Sequence, residues 1–278
     1  MASLLYLITI SYYACYVGYW SYPLTQPYWY WLLLLALLPH YYHLYKKKGN
    51  SNFMIFHNWL LPLSLIVVLG AMAQSNGELM FIAYVSLFGL FYQIGSWRFF
   101  EAQKIRNNGF ELIGNLGTII ILLILSFDWF WKELRDETFV MAKLLSAPEL
   151  YISVGISLLA LVVFYLNLRR TTLRDMKPIA PVFILFIVIY LLGMLTPFAV
   201  VLINICVFII GLLTIQRGVK KNHLGILNYG LIVITALIAC RFFDTDLSFV
   251  LRGVLFISVG TGFFVANYWM LKKRNAHE

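Results

Sequence analysis

Apolar residues fill this chain in runs of about twenty, separated by short polar gaps, and every second gap is basic while the gaps between them are not. A helix needs roughly 20 residues to cross a hydrocarbon core about 30 Å thick. Each run is therefore predicted to be a membrane-spanning helix. The runs fall at 3–20, 28–45, 55–73, 79–97, 110–131, 149–168, 180–195, 198–216, 225–243 and 248–271. From Pro181 to Gln216 the apolar stretch covers 36 residues, about 54 Å as a single helix and too long for one crossing. Thr196-Pro197 is accordingly expected to turn the chain between the seventh and eighth runs, a kink in one long helix being the alternative.

The charges give these helices a direction. Lys46, Lys47, Lys48; Arg98, Lys104, Arg106; Arg169, Arg170, Arg174, Lys177; Arg217, Lys220, Lys221; and Lys272, Lys273, Arg274 make up 16 of the 21 Lys and Arg. The other gaps hold Lys132, Arg135, Lys143, Arg241 and Arg252 against acidic residues such as Glu78, Glu133, Asp244 and Asp246. By the positive-inside rule the basic side is cytoplasmic. Ten spans then put both termini there.

With 62% hydrophobic and only 12% charged residues, a 278-residue chain has too little polar surface to clothe a soluble core. The expected fold class is all-α, a polytopic transmembrane helix bundle occupying 1–278 as a single membrane domain. The formal charge of +9 is explained by loops facing anionic headgroups, so no nucleic-acid partner is expected. Cys15, Cys206 and Cys240 lie inside apolar runs without metal or redox spacing. No Lys or Arg precedes the first apolar run, so it is expected to be a span and not a signal peptide. The connection from Lys132 to Pro148 mixes charges with apolar residues, as a helix in the headgroup layer does; an ordinary loop is the alternative.

Short matches recur in one order along the chain. Gly70 ends the third run and Gly193 the seventh; Phe88-Gly89-Leu90 matches Ile210-Gly211-Leu212; Asn115-Leu116-Gly117 matches Asn228-Tyr229-Gly230; and Ile152-Ser153-Val154-Gly155 returns unchanged as Ile257-Ser258-Val259-Gly260. Their offsets are 123, 122, 113 and 105. This order predicts two tandem four-helix repeats, 55–170 and 180–274, after a two-helix extension, 1–54. An even number of helices gives both units one orientation, as in parallel-repeat transporters.

Polar side chains inside lipid mark helix contacts or function. Glu111, Asn115 and Thr118 share a helical face, as do Gly89, Gln93 and Ser96, and Gly253, Gly260 and Asn267. Close helix association accounts for such stripes. The sharper alternative is a pocket open to the cytoplasm lined by Glu111, Asn115 and Gln93. The densest charged group is the outer hairpin from Arg241 through Asp244 and Asp246 to Arg252. Arg252 is expected to pair with one aspartate and Arg241 with the other, as a clasp on the hairpin; an anionic headgroup, cation or substrate site is the alternative. His40, His43 and His57 are close enough in register to converge, but lack metal-binding spacing. No catalytic residue, cofactor or metal site is expected.

The carboxy-terminal hairpin, with Arg241-Phe242-Phe243-Asp244, Leu251-Arg252-Gly253, Phe256, Gly260, Asn267 and Lys272-Lys273-Arg274, resembles an uncharacterised family of bacterial predicted membrane proteins. Members share an Arg-Tyr/Phe-Phe-Asp turn and a glycine-containing last helix. The resemblance covers 222–274 most clearly and 55–130 more faintly, and it implies a bacterial inner-membrane location with no established activity. A short soluble helical region that opens many members has no counterpart here. Small-molecule or lipid binding and transport through a cavity between the repeats is the first expectation. A structural or scaffold subunit of an envelope complex is its rival, and an intramembrane enzyme the third class. Expected partners are membrane lipids and a membrane protein or second copy.

Overall fold

A computed structural model of the chain describes residues 2–21, 27–73, 76–101, 107–136, 145–170, 176–242, 248–250 and scattered positions from 253 to 272. Among the described residues every regular element is helical. α1 (Ala2–Tyr16) runs into a wider turn over Val17–Ser21 and is followed by α2 (Trp29–Lys48) and α3 (Asn52–Ala71). A 3-10 turn at Gly77–Leu79 leads into α4 (Met80–Gly95), then α5 (Arg98–Glu101), α6 (Gly109–Ile124) and α7 (Trp129–Asp136). α8 (Pro148–Leu168), α9 (Val182–Leu195), α10 (Ala199–Lys220) and α11 (Leu224–Phe242) complete the series, and the described positions between 249 and 272 are helical as well. Among the described residues five helices are long and apolar enough to cross a membrane: α3, the Gly77–Gly95 stretch, α8, α10 and α11. A sixth crossing results if α6 and α7 form one bent span. The chain is thus an all-helical protein with the helices of a membrane protein.

It divides into two compact units, Met1–Gly117 with Phe139–Arg174, and Thr118–Thr138 with Asp175–Glu278, the boundary falling inside α6. In the first unit α1 lies along α3 and α2. The wider turn after α1 comes so near the end of α3 that a Cβ on Gly18 would sit 2.3 Å from the Ala71 carbonyl oxygen. The first two helices are therefore packed into this unit and do not stand apart from it. A hydroxyl chain pins them at depth: the Ser64 Oγ is 2.6 Å from both Ser11 Oγ and Tyr30 OH. Ser51 caps α3 by accepting from the Met54 N–H at 3.3 Å, and Lys46, Lys47 and Lys48 occupy the last turn of α2, where its dipole favours cations. α4 packs along α8 and against α3 and is the most enclosed candidate span, 67% of it buried.

In the second unit α10 and α11 form a hairpin. Its turn is closed by Asn222 at φ 51°, a left-handed position that asparagine tolerates. The His223 N–H donates to the Gly218 carbonyl at 2.9 Å, and the His223 Nδ1 accepts from the Ile226 N–H at 3.3 Å to cap α11. α9 packs against α7 and α10. Trp131 is fully buried with Phe130 and Tyr190 around it, and its ring would lie 2.3 Å from a Cβ on Gly193. Thr196 is extended at φ −141°, ψ 152°, the conformation favoured before Pro197, and α9 and α10 are separate helices on either side of it.

Two expectations change. The fifth run was expected to be one helix over 110–131; it is broken after Ile124 and resumes at Trp129 with a 74° bend. Phe130, Trp131 and Leu134 then face inward, while Trp129, Lys132 and Glu133 are exposed. Such a two-faced helix suits a headgroup layer; of the Lys132–Pro148 connection, expected as a headgroup-layer helix or an ordinary loop, the first residues belong to a helix that begins at Trp129, and 137–144 lie outside the described residues. Neither glycine nor proline lies at the break; partners from other helices hold it, as described below.

Glycines set the closest helix approaches in each unit. Within the first, a Cβ on Gly95 would fall 2.5 Å from the Glu111 N, and one on Gly114 would fall 2.5 Å from Tyr92 N and 2.7 Å from Phe88 O. Within the second, a Cβ on Gly218 would fall 2.5 Å from Leu227 N, and one on Gly230 would fall 2.8 Å from both Gly211 O and Ile215 N. Small residues that let backbones touch are what membrane helices use in place of a hydrophobic driving force.

Candidate functional site

Gln93 and Glu111 both lie around the end of α4 in the first unit, Gln93 in its last turn and Glu111 packed on Gly95, each with its own hydrogen-bond partners. Gln93 is 1% exposed. Its partner is Asn167 on α8, whose Nδ2 donates to Gln93 Oε1 at 2.8 Å, to Gln93 O at 3.0 Å and to Ser96 Oγ at 3.4 Å. The Asn167 Oδ1 in turn accepts from Trp97 Nε1 at 3.0 Å. The side chain of Asn167 thus ties α8 to the backbone that α4 leaves open where it ends.

Glu111 belongs to the start of α6. Asn108 stands one residue before the helix, and its Oδ1 accepts from the Glu111 N–H at 3.2 Å. Its Nδ2 donates to Glu111 Oε2 at 3.0 Å and to Gly95 O at 2.8 Å. This is a capping box in which the carboxylate answers the cap's side-chain amide, and the negative charge lies where the helix dipole favours it. Asn115, half-buried, follows one turn later. Each polar group shown bonds a neighbouring helix or a helix end.

His57 is fully buried, its Nδ1 2.7 Å from Phe53 O and its Nε2 3.1 Å from Ser3 Oγ. The His40 ring lies 6.2 Å from it, and His40 and His43 are both exposed. Among the described residues no group of three His, Cys, Asp or Glu could hold a metal ion. Several buried polar groups had no prominence in the sequence. Glu149 is 0% exposed and its Oε1 accepts from Asn76 N at 3.3 Å. Ser153 Oγ donates to Leu79 O at 2.9 Å, and the Ser157 and Ser86 hydroxyls are 2.8 Å apart. Asn58 is fully buried, its Oδ1 accepting from Tyr41 OH at 2.9 Å.

In the second unit the broken helix carries the chemistry. A break in an apolar helix frees carbonyls that need new partners wherever water is excluded. Trp131 Nε1 donates to Leu125 O at 2.7 Å, and Asn204 Nδ2 donates to Ser126 O at 3.1 Å and Val200 O at 2.7 Å. Arg241 reaches the same place: its Nη2 is 3.4 Å from Ser126 Oγ and its guanidinium lies 5.0 Å from the Phe127 ring centre. A cation there faces the negative end of the α6 dipole. Arg135 Nη1 bonds Thr196 O at 3.5 Å, and the exposed Lys132 pairs with Asp128 at 2.7 Å. Asp244, Asp246 and Arg252, and with them the ion pairs expected on the outer hairpin, lie outside the described residues. No protein-family model matches the chain, and no curated protein or solved structure matches it either.

Proposed function

We propose that the chain is a ten-span membrane protein of two tandem four-helix units, with both termini cytoplasmic, that serves as a structural subunit of a membrane complex. The glycine contacts support the tandem units. Phe88, Tyr92 and Gly95 in α4 correspond to Gly211, Ile215 and Gly218 in α10, 123 positions on, and Gly114 in α6 corresponds to Gly230 in α11, 116 positions on. Each pair makes the same backbone approach in its own unit. The register differs by one and three residues from the one read from the short sequence matches.

One observation favours a structural role over transport. Asn167, Gln93, Asn108 and Glu111, the polar groups that a pocket would need free, are hydrogen-bonded to one another and to helix ends. Purification from native membranes at the natural expression level, in lipid discs, tests this. The structural role requires a partner chain in fixed stoichiometry. Recovery of the chain alone, with no partner lost on dilution, argues against it.

A second role rests on Arg241. Its guanidinium at the broken helix suits an anionic lipid headgroup or small anionic solute on the outer side. Native mass spectrometry decides between the two roles: a retained small anion or lipid that disappears in Arg241→Gln favours binding and transport.

A further inference from the structure

We infer that α10 is the docking face for the chain's own 248–271 segment, which packs on it as α8 packs on α4. The inference rests on the tandem-unit reading above. In the first unit α8 lies parallel to α4: Ser153 bonds Leu79 O, Ser157 meets Ser86, and Asn167 bonds Gln93, each pair further along both helices. Carried to the second unit, Leu79 and Ser86 become Leu202 and Ile209. Ser153 and Ser157 become Ser258 and Gly262, through the recurrence of Ile-Ser-Val-Gly 105 positions on.

The two surfaces match in what they leave open. α10 is 33% buried where the Gly77–Gly95 stretch is 67% buried, and Ile209, at the position of the fully buried Ser86, is 47% exposed. A Cβ added at Gly262 would meet nothing within 4 Å. The hydroxyls of Ser258 and Thr261 bond back to their own helix at Val254 O and Ile257 O, both at 2.8 Å, leaving a smooth surface of small residues.

The tether permits this packing and sets its direction. Arg241 and Asn204 both bond Ser126, so the outer end of α11 lies level with the first turns of α10. Only residues 243–247 separate α11 from Ser248, a reach of roughly 20 Å fully extended. The segment therefore starts near the outer end of α10, and docking as α8 does on α4 has it run inward beside that helix. A small-residue face then lies against the exposed Ile205, Ile209, Leu212 and Leu213.

Cysteine cross-linking in native membranes tests this, in a chain carrying Cys15→Ala, Cys206→Ala and Cys240→Ala. Ile209→Cys with Gly262→Cys places new side chains only in open space. The expected result is an intramolecular disulfide, seen as a gel shift that reductant reverses. Ser86→Cys with Ser157→Cys, whose hydroxyls are 2.8 Å apart, reports the α4–α8 template. A positive template with no 209–262 cross-link means that lipid covers α10 and overturns the docking alone. A 209–262 cross-link found only between chains assigns the face to a second copy and overturns it too. A negative template removes the arrangement from which the docking was drawn, and the tandem-unit reading with it.

Discussion

Replacing Gly95 by alanine isolates the energy of the α4–α6 approach. The added methyl would begin 2.5 Å from Glu111 N and 2.7 Å from Glu111 Cα and Cβ. Two of these are backbone atoms of a packed helix, so no flexible side-chain end can swing away. Restoring ordinary contact near 3.5 Å means moving the helices apart by about 1 Å, and overpacking of that kind costs about 1–3 kcal/mol. Against it stands the gain of roughly 0.5–1 kcal/mol from placing alanine for glycine inside a helix. Gly155→Ala supplies the comparison, since a Cβ there meets nothing within 4 Å and only the helix gain applies. Gly95 is the last residue of α4 and gains less from alanine than Gly155 in the middle of α8, so the two variants should differ by about 1–4 kcal/mol, or roughly 5- to 900-fold in the folded-to-unfolded ratio. Reversible unfolding in lipid bicelles measures it. Gly95→Ala should be the less stable of the two, and Gly218→Ala, whose methyl would meet Leu227 N at 2.5 Å, should fall with it. If both behave like Gly155→Ala, the helices do not touch through these glycines and the tandem reasoning loses its footing.

Asn167→Leu removes the donor to the buried Gln93 amide and should lower stability by about 1–2 kcal/mol; a melting temperature equal to wild type would count against the α4–α8 tie. Trp131→Phe deletes the donor to Leu125 O while keeping most of the ring volume. A loss of about 1 kcal/mol is expected, together with faster amide exchange confined to residues 124–128, whereas exchange unchanged there would show that the break holds without it. Membrane-impermeant thiol labelling of single cysteines at Asn50, Asn222 and Lys272 should report one side of the membrane, and labelling at Gly77 and Asp128 the other. A split between Asn222 and Lys272 would rule out ten spans.

The helices were legible because lipid imposes one rule on every crossing: apolar length without charge, bounded by gaps whose Lys and Arg content alternates. That Glu111 would pack on the end of α4 was also legible, since the sequence puts Gln93 and Glu111 at the adjoining ends of consecutive helices. The break in the fifth helix was not. Leu125-Ser126-Phe127-Asp128 contains no helix breaker; it is held open by Trp131 at the start of α7 and by Asn204 and Arg241, which come from distant positions. Asn167 was hidden by its place beside Arg169 and Arg170, where it reads as the start of a loop. Asn58 and Asn204 stood alone within apolar runs, and a search for every isolated amide in a span would have found them. The repeat register slipped because matching short words favours shared letters, whereas the structure equates Phe88 with Gly211 and Tyr92 with Ile215, pairs related only by the backbone they present.

The lengths of two helices reach beyond the protein to the lipid around it. α6 has 16 residues and α9 has 14, about 24 Å and 21 Å of helix against a hydrocarbon thickness near 30 Å. If both cross the bilayer, as the ten-span proposal requires, the mismatch is relieved by thinning the surrounding bilayer or by bringing flanking residues inward, at a fraction of a kcal/mol for each ångström. On that proposal acyl-chain length becomes a variable of this protein's stability. Short-chain phospholipids should hold the second unit at lower elastic cost than long-chain ones, and reconstitution across a chain-length series would display that preference as a maximum.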